Sequence, residues 1–274
     1  MTCTKMLITV DRFFNMIRRH INVSILAFQL SDVEFVPYIQ PIYSKDKLVG
    51  GEVLMRLKRN GVTSSPASII EVMETSERIN QVTCRLMSDV RVIFESYTGQ
   101  LPDEFYLSFN ICPRQLNSKE VVEEVYKLNK EFCGRITVVL EIVERGNMDL
   151  NDFALETIDQ LACAGVLFAI DDFGSGSSCL KYIEHAGFST IKIDKCLTVA
   201  IQGELVYSNV IDAIVILSKK LKLQIVAEGV ESSEQLGLLQ KKGIDFFQGF
   251  FLSRPISISA FIRDHLHHNT YYHY

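Results

Sequence analysis

An α/β fold closed as a (β/α)8 barrel, with one antiparallel strand near the start, is what this sequence predicts, and three observations carry that prediction. Eight short β-branched and aromatic runs alternate with longer stretches whose apolar residues recur at helical spacing. Later runs such as Thr137-Val-Val-Leu-Glu-Ile-Val and Val166-Leu-Phe-Ala-Ile are apolar at nearly every position, as strands covered on both faces are. The first two runs are separated only by residues 43–50, too short for a parallel crossover, so they pair as a hairpin. A doubly wound open sheet is the competing architecture, but no Gly-x-Gly-x-x-Gly turn follows any strand.

In chain order the strand-like runs are 35–42, 52–57, 105–111, 137–143, 166–173, 190–194, 224–230 and 246–252. Between them the helical patterns fall at 68–94, 120–132, 150–164, 206–221 and 233–241, with a last helix at 258–266. Residues 1–33, with Arg18-Arg-His20 among Phe and Ile, read as a helical lead-in. The barrel occupies 34–268, and 269–274 form a flexible tail. Neither an internal repeat nor a long linker is visible, so about 230 residues form one barrel, an ordinary size for that fold.

Composition narrows the function. The chain has 274 residues, is 47% hydrophobic and 22% charged, and carries a formal charge of −5, which describes a globular chain with ample core material. Mild acidity argues against binding a nucleic-acid polymer, which needs a positive surface. It leaves room for a small phosphate-bearing ligand if metal ions supply the positive charge. Seven cysteines, odd in number and without a C-x-x-C pair, fit reduced, buried thiols in a cytoplasmic protein better than a disulfide framework. The longest early apolar stretch, 21–30, is interrupted by Asn22, Ser24 and Gln29. It reads neither as a signal peptide nor as a membrane span.

The informative residues are the polar ones that interrupt apolar strands. Asn110 ends Tyr106-Leu-Ser-Phe-Asn, and Glu141 follows Val138-Val-Leu. Asp171 and Asp172 follow Leu167-Phe-Ala-Ile, Lys192 and Asp194 alternate in Ile191-Lys-Ile-Asp, Glu228 follows Ile225-Val-Ala, and Gln248 follows Asp245-Phe-Phe. Glu52 opens its strand after Gly50-Gly51. Taken singly, each has an ordinary explanation. Asp171-Asp-Phe-Gly is a polar turn, Lys192 and Asp194 an edge ion pair, and Glu231 an acid at a helix N-terminus. Jointly they do not, because isolated buried carboxylates are very costly and these come from different strands whose C-terminal ends share one face of a barrel. Lys192 brings one positive charge among many negative ones. Oxygen-only ligands with one amide favour hard divalent ions, Mg²⁺ or Mn²⁺, and two ions sharing Asp171 are the usual device for phosphodiester hydrolysis.

The motifs Gln40-Pro-Ile42, Glu52-Val-Leu54 with Arg56, Asn110-Ile-Cys-Pro113, Glu141-Ile-Val-Glu144, Asp171-Asp-Phe-Gly-Ser-Gly176, Lys192-Ile-Asp194, Ala227-Glu-Gly-Val-Glu231 and Gln248-Gly249 occur in one order and spacing. Together they resemble the EAL family, bacterial cyclic di-GMP phosphodiesterases with a modified TIM barrel, over roughly residues 34 to 262. The resemblance implies hydrolysis of cyclic di-GMP to linear pGpG with two Mg²⁺ or Mn²⁺ ions. It assigns Glu52, Asn110, Glu141 and Asp171 to one ion, and Asp171, Asp172 and Glu228 to the other. Lys192 would orient the attacking water, Arg56 would meet a substrate phosphate, and Gln40, Gln248 and Glu231 would help order site and substrate. Glu144 would anchor the loop after Asp172, which in the family couples a homodimer to metal binding.

Three departures from the family pattern stand out: Val53 for Ala in the naming triplet, Leu57 where Trp is common, and Ser177 where the glycine-rich loop usually has Tyr. None removes a ligand, so an active hydrolase is expected. A cyclic di-GMP sensor without turnover ranks second, and a barrel enzyme acting on a carbon acid through Lys192 ranks third. His265, His267, His268 and His273 crowd the last ten residues and read as a fraying end, and His185 as a surface residue.

Overall fold

The structure, a computed structural model, describes residues 33–67, 69–142, 150–175, 182–184 and 187–266. The chain divides into two compact units, one of Pro37–Leu54 with Thr83–Tyr274 and the other of Met1–Val36 with Met55–Val82. The strands in chain order are β1 (Glu34–Ser44), β2 (Lys47–Arg59), β3 (Val62–Ser64), β4 (Tyr106–Ile111), β5 (Thr137–Ile142), β6 (Leu167–Phe173), β7 (Phe188–Ile193), β8 (Ala200–Ile201), β9 (Glu204–Leu205), β10 (Gln224–Ala227), β11 (Phe246–Phe247) and β12 (Ile256–Ser257).

Eight of them close a ring in the larger unit. The order runs β1, β2, β4, β5, β6, β7, β10, β11 and back to β1. Pairs from β2–β4 round to β10–β11 are parallel. β1 is the exception, lying antiparallel to β11 and joined to β2 by a tight turn with Lys45 at φ 55°. The predicted barrel with one reversed strand is therefore present, and the shortness of the first connection is its cause.

Strand parity sorts the side chains. Along β5, Val138, Leu140 and Ile142 enter the apolar layer shared with the surrounding helices, while Val139 and Glu141 alternate to the other face. The helices bury one stripe each. Val121, Val125 and Leu128 form it on the helix Lys119–Glu131, and Ala154, Ile158 and Leu161 on the helix Asp152–Cys163. Both begin as the sequence signals, with Ser118 Oγ and Asn151 Oδ1 accepting from the first-turn amides of Val121 and Ala154. The short helix Ile258–Phe261 continues as a wide turn through Ile262–Leu266. It lays Phe261 6.1 Å from the rings of both Phe94 and Phe105.

Several boundaries differ from expectation. The helix expected over 68–94 splits into Ile70–Glu74 and Arg78–Glu95. Thr75 Oγ1 donates to Val72 O at 2.8 Å and Ser76 Oγ to Met73 O at 2.9 Å, ending the first piece with side-chain bonds that compete with the helical ladder. The strands expected over 224–230 and 246–252 stop at Ala227 and Phe247, where the chain turns through Gly229 at φ +64°. Gly249 then passes so close to the backbone of Val230 that a Cβ there has no room. The β8–β9 hairpin, turning through Gln202 and Gly203 at positive φ, and the short β3 and β12 were not expected.

The buried-thiol expectation is also corrected. Among the described cysteines, all of them free, Cys133, Cys163 and Cys196 are exposed and Cys112 half-buried, at or just past the ends of helices and strands, while Cys84 is half-buried inside the helix Arg78–Glu95, at the edge of the apolar layer. The lead-in apart from Val33, the tail 269–274, His185, His267, His268, His273 and the loop containing Ser177 lie outside the described residues. No described helix is long and apolar enough to cross a membrane.

Phe168, wholly buried on β6 with its ring 6.1 Å from that of Phe188, tests this packing. Phe168→Ala should cost about 3–5 kcal/mol in urea unfolding with the slope unchanged. A loss below about 1 kcal/mol would mean that the layer collapses around the gap.

Candidate active site at the strand ends

Four carboxylates, delivered by four different strands and strand ends, surround one lysine. Lys192 Nζ lies 2.6 Å from Glu141 Oε2, 2.6 Å from Glu228 Oε1, 3.0 Å from Asp171 Oδ1 and 3.3 Å from Glu52 Oε2. The lysine is 1% exposed. Register explains the convergence. Asn110 on β4 sits beside Glu141 on β5, while Ala169 on β6 pairs with both Glu141 and Thr190. Asp171 and Lys192 each follow these partners by two positions, so strand alternation returns both to the same face one step higher.

Consecutive residues normally point to opposite faces of a strand, yet Asp171 and Asp172 both serve this cluster. The β6–β7 register makes it possible. Ile170 faces Ile191 and Phe173 faces Ile193, three steps against two, and Asp172 takes up the extra residue at φ 52°. A left-handed φ is tolerated better by Asp than by most other side chains. As a result one carboxylate oxygen each of Asp171, Asp172 and Glu228 lies within 4.8 Å of the others.

Amides hold Glu52. Asn110 Nδ2 donates to its Oε1 at 2.6 Å and Gln248 Nε2 to its Oε2 at 2.7 Å. Gln248 also reaches Gln40 Oε1 at 3.2 Å, and Gln40 Nε2 donates to Ser253 O at 3.1 Å. The chain thus brings together Glu52, Asn110, Glu141, Asp171, Asp172, Lys192, Glu228, Gln40 and Gln248. Glu231 stands apart: its side chain is exposed, and its backbone amide donates to Gln235 Oε1 at 2.8 Å. Arg56 belongs to the smaller unit and donates to Met55 O at 2.8 Å. Glu144 lies outside the described residues.

Charge is badly matched in this cluster. Burial opposes the charge on Lys192, but Asp171, Glu141, Glu228 and Glu52 outweigh it and hold its pKa well above the ordinary value. Burial also opposes charge on Glu52, yet Lys192 and the two amides prevail and its pKa is lowered. Three other carboxyls are pushed the opposite way. Burial and the neighbouring Glu52 push Glu141 well up, and burial raises Glu228 to about 8. Burial, Asp171 and Asp194 raise Asp172 to about 6, and a hydrogen bond links it to Asp194.

Two buried acceptors in the cluster have no hydrogen bond, Asp171 Oδ1 and Gln248 Oε1. Asp171 Oδ1 feels the Lys192 charge at 3.0 Å but receives no aligned proton. An oxygen-only donor set, excess negative charge and an unsatisfied buried carboxylate oxygen are together what a hard divalent cation fits.

Sequence reasoning missed Gln235 and Thr198. Gln235 Nε2 donates to Thr198 O at 2.9 Å and to Gly229 O at 3.0 Å, and Thr198 Oγ1 donates to Glu228 O at 2.7 Å. The available signal was Ser232 followed three residues later by Gln235, which reads only as a helix start.

The EAL domain family model matches residues 24–255. Probable cyclic di-GMP phosphodiesterase PdeG of Escherichia coli K12 is 31% identical over 252 residues, covering 90% of this chain and 49% of that protein. Cyclic di-GMP phosphodiesterase PdeL of the same organism is 32% identical over 244 residues, covering 87% and 67%. The chain spans about half the length of several relatives that it matches. Among solved structures, the EAL enzyme Bd1971 in its cAMP- and cyclic-di-GMP-bound form superposes with a TM-score of 0.77 at 25% identity, covering 95% of this chain and 74% of that one. The PaMucR phosphodiesterase in complex with c-di-GMP gives 0.71 at 26%, covering 83% and 99%.

The proton on Glu228 is testable. A carboxyl near 8 rather than the ordinary 4.5 binds its proton more tightly in the native chain than in the unfolded one. Its contribution is full below about pH 4.5 and is lost as pH rises through about 8. In EDTA-treated protein the melting temperature should fall across that window, and Glu228→Gln should lessen the slope. An unchanged slope would place the proton elsewhere.

Proposed function

The chain belongs to the EAL domain family, and from that membership and the carboxylate cluster we propose that it is a metal-dependent phosphodiesterase that opens cyclic di-GMP to linear pGpG. The observation that supports this most is the gathering of Glu52, Glu141, Asp171 and Glu228 about Lys192, with Asp171 Oδ1 left without a hydrogen bond. Carboxylates at that density need cations, and a phosphodiester attacked by water needs them too.

In this reading Glu52, Asn110, Glu141 and Asp171 would hold one Mg²⁺ or Mn²⁺ ion, and Asp171, Asp172 and Glu228 would hold a second. When bound, such ions supply positive charge to phosphate oxygens and acidify water. Lys192, kept charged by its neighbours, donates a hydrogen bond to the attacking water and sets its direction towards phosphorus. Glu228, 2.6 Å from that ammonium, would receive the water proton in its ionised form, the form that a bound cation favours. The water oxygen bonds to phosphorus, the phosphorus–O3′ bond breaks, and the departing O3′ takes up the proton that Glu228 received, leaving the linear dinucleotide. Gln248 fixes Glu52 through its amide NH₂ and keeps Oε1 free to accept from substrate. The assignment of Arg56 to a substrate phosphate rests on its motif position alone. A homodimer is the assembly that the family resemblance implies, and sedimentation of the purified protein checks it.

Incubation with cyclic di-GMP and Mn²⁺ should accumulate pGpG, whereas binding without product would leave a sensor. Glu52→Ala should remain folded by circular dichroism and lose more activity than the roughly 10- to 100-fold typical of a lost outer partner. Near wild-type turnover in that variant would overturn the ligand set. Lys192→Ala should lower kcat more than it changes KM, and weakened binding at an unchanged rate would contradict its role on the water.

A further inference from the structure

We propose that Gln235 and Thr198 are positioning residues for Glu228, acting through the turn that follows β10. Several backbone atoms of that turn are held by hydrogen bonds. Glu228 N donates to Ile193 O at 3.1 Å, and Glu228 O accepts from Thr198 Oγ1 at 2.7 Å. Gly229 O accepts from Gln235 Nε2 at 3.0 Å, Val230 N donates to Gln248 O at 3.1 Å, and Glu231 N donates to Gln235 Oε1 at 2.8 Å. Gln235 uses both ends of its amide, so two successive peptides of the turn, 229–230 and 230–231, are tied to a single side chain. Its own position is set by the helix Ser233–Lys241, whose start is capped by Ser232 Oγ accepting from Gln235 N at 3.1 Å. Thr198 is wholly buried and Gln235 is 7% exposed, so water does not replace these bonds.

What the turn carries is the Glu228 carboxylate, at 2.6 Å from Lys192 and within 4.8 Å of an oxygen of Asp171 and of Asp172. The strand itself ends at Ala227, one residue before the carboxylate, so sheet pairing does not fix Glu228 beyond its amide. Positioning passes to the Thr198 hydroxyl and the Gln235 amide. A displacement of about 1 Å at such a group costs up to about 100-fold in rate. The inference rests on the reading that Glu228 serves a divalent-ion site.

The test compares Thr198→Val, which keeps the shape and removes the donor, with Thr198→Ser, which restores the hydroxyl. Thr157→Val is the control, since Thr157 is likewise buried and donates to Phe153 O at 2.9 Å within the helix Asp152–Cys163. In EDTA-treated protein titrated with Mn²⁺, Thr198→Val should raise the dissociation constant about 10-fold and Thr198→Ser should return it to within about 3-fold of wild type. Thr157→Val should lower the melting temperature comparably and leave Mn²⁺ affinity unchanged. Kinetically, Thr198→Val should lower kcat with KM little altered. Equal weakening in Thr157→Val, or wild-type affinity in Thr198→Val, overturns the proposal. Hydrogen exchange of the Glu231 amide separates this inference from the metal reading. If wild-type protein takes up no Mn²⁺, that reading fails by itself, while Gln235→Leu should still speed exchange at Glu231. Unchanged protection there overturns the clamp.

Discussion

The burial of one ammonium among four carboxylates is the constraint on which the rest of the site depends. Lys192 is 1% exposed, a place where a lone lysine would shed its proton, yet its neighbours keep it charged. The same neighbours cannot all be satisfied by one cation, so the pKa values of Glu141 and Glu228 are pushed up. A barrel makes such an arrangement sustainable, because each carboxylate is fixed by its own strand and cannot relax away from the others. The cost is carried by the apolar layer beneath the helices, where Val138, Leu140, Ile142 and Phe168 are buried completely or nearly so. Stability and reactivity are thus drawn from alternate residues of the same strands.

Most of this was legible in the sequence because a polar side chain inside an apolar strand is expensive and therefore conspicuous. Glu141 after Val138-Val-Leu and Lys192 between Ile191 and Ile193 stand out on that ground alone. The barrel followed from the same runs, and the reversed first strand from a connection too short for anything else. What failed was local. Thr75 and Ser76 look tolerable within a helix, and only their bonds to Val72 O and Met73 O reveal the break. The motif assigns both Asp171 and Asp172 to the site, and only the bulge that lets both serve one face goes unannounced by any residue pattern.

Gln235 shows a different kind of blindness. Three residues after Ser232 it fits a helix-capping pattern, and capping patterns are common enough to stop the search there. Its side chain instead joins Glu231 N to Thr198 O, the latter 37 residues away from Gln235 in sequence. Glu231 shows the complementary case. Its carboxylate is what the sequence makes conspicuous, while its amide is held by Gln235.

Two-residue periodicity has a corollary for how this chain tolerates inserted residues. Between Thr137 and Glu141 one added amino acid would swing the carboxylate beneath the helical layer and bring an aliphatic neighbour into the cluster, without changing composition or overall topology. At β6 the fold already contains such a slip, absorbed by Asp172 with its left-handed backbone. Length variation should therefore collect in the connections at the opposite end of the barrel, while the segments just before Asn110, Glu141, Asp171 and Lys192 keep a fixed residue count. That makes spacing, as much as residue identity, the quantity to compare when a related chain is asked whether it still has a working rim.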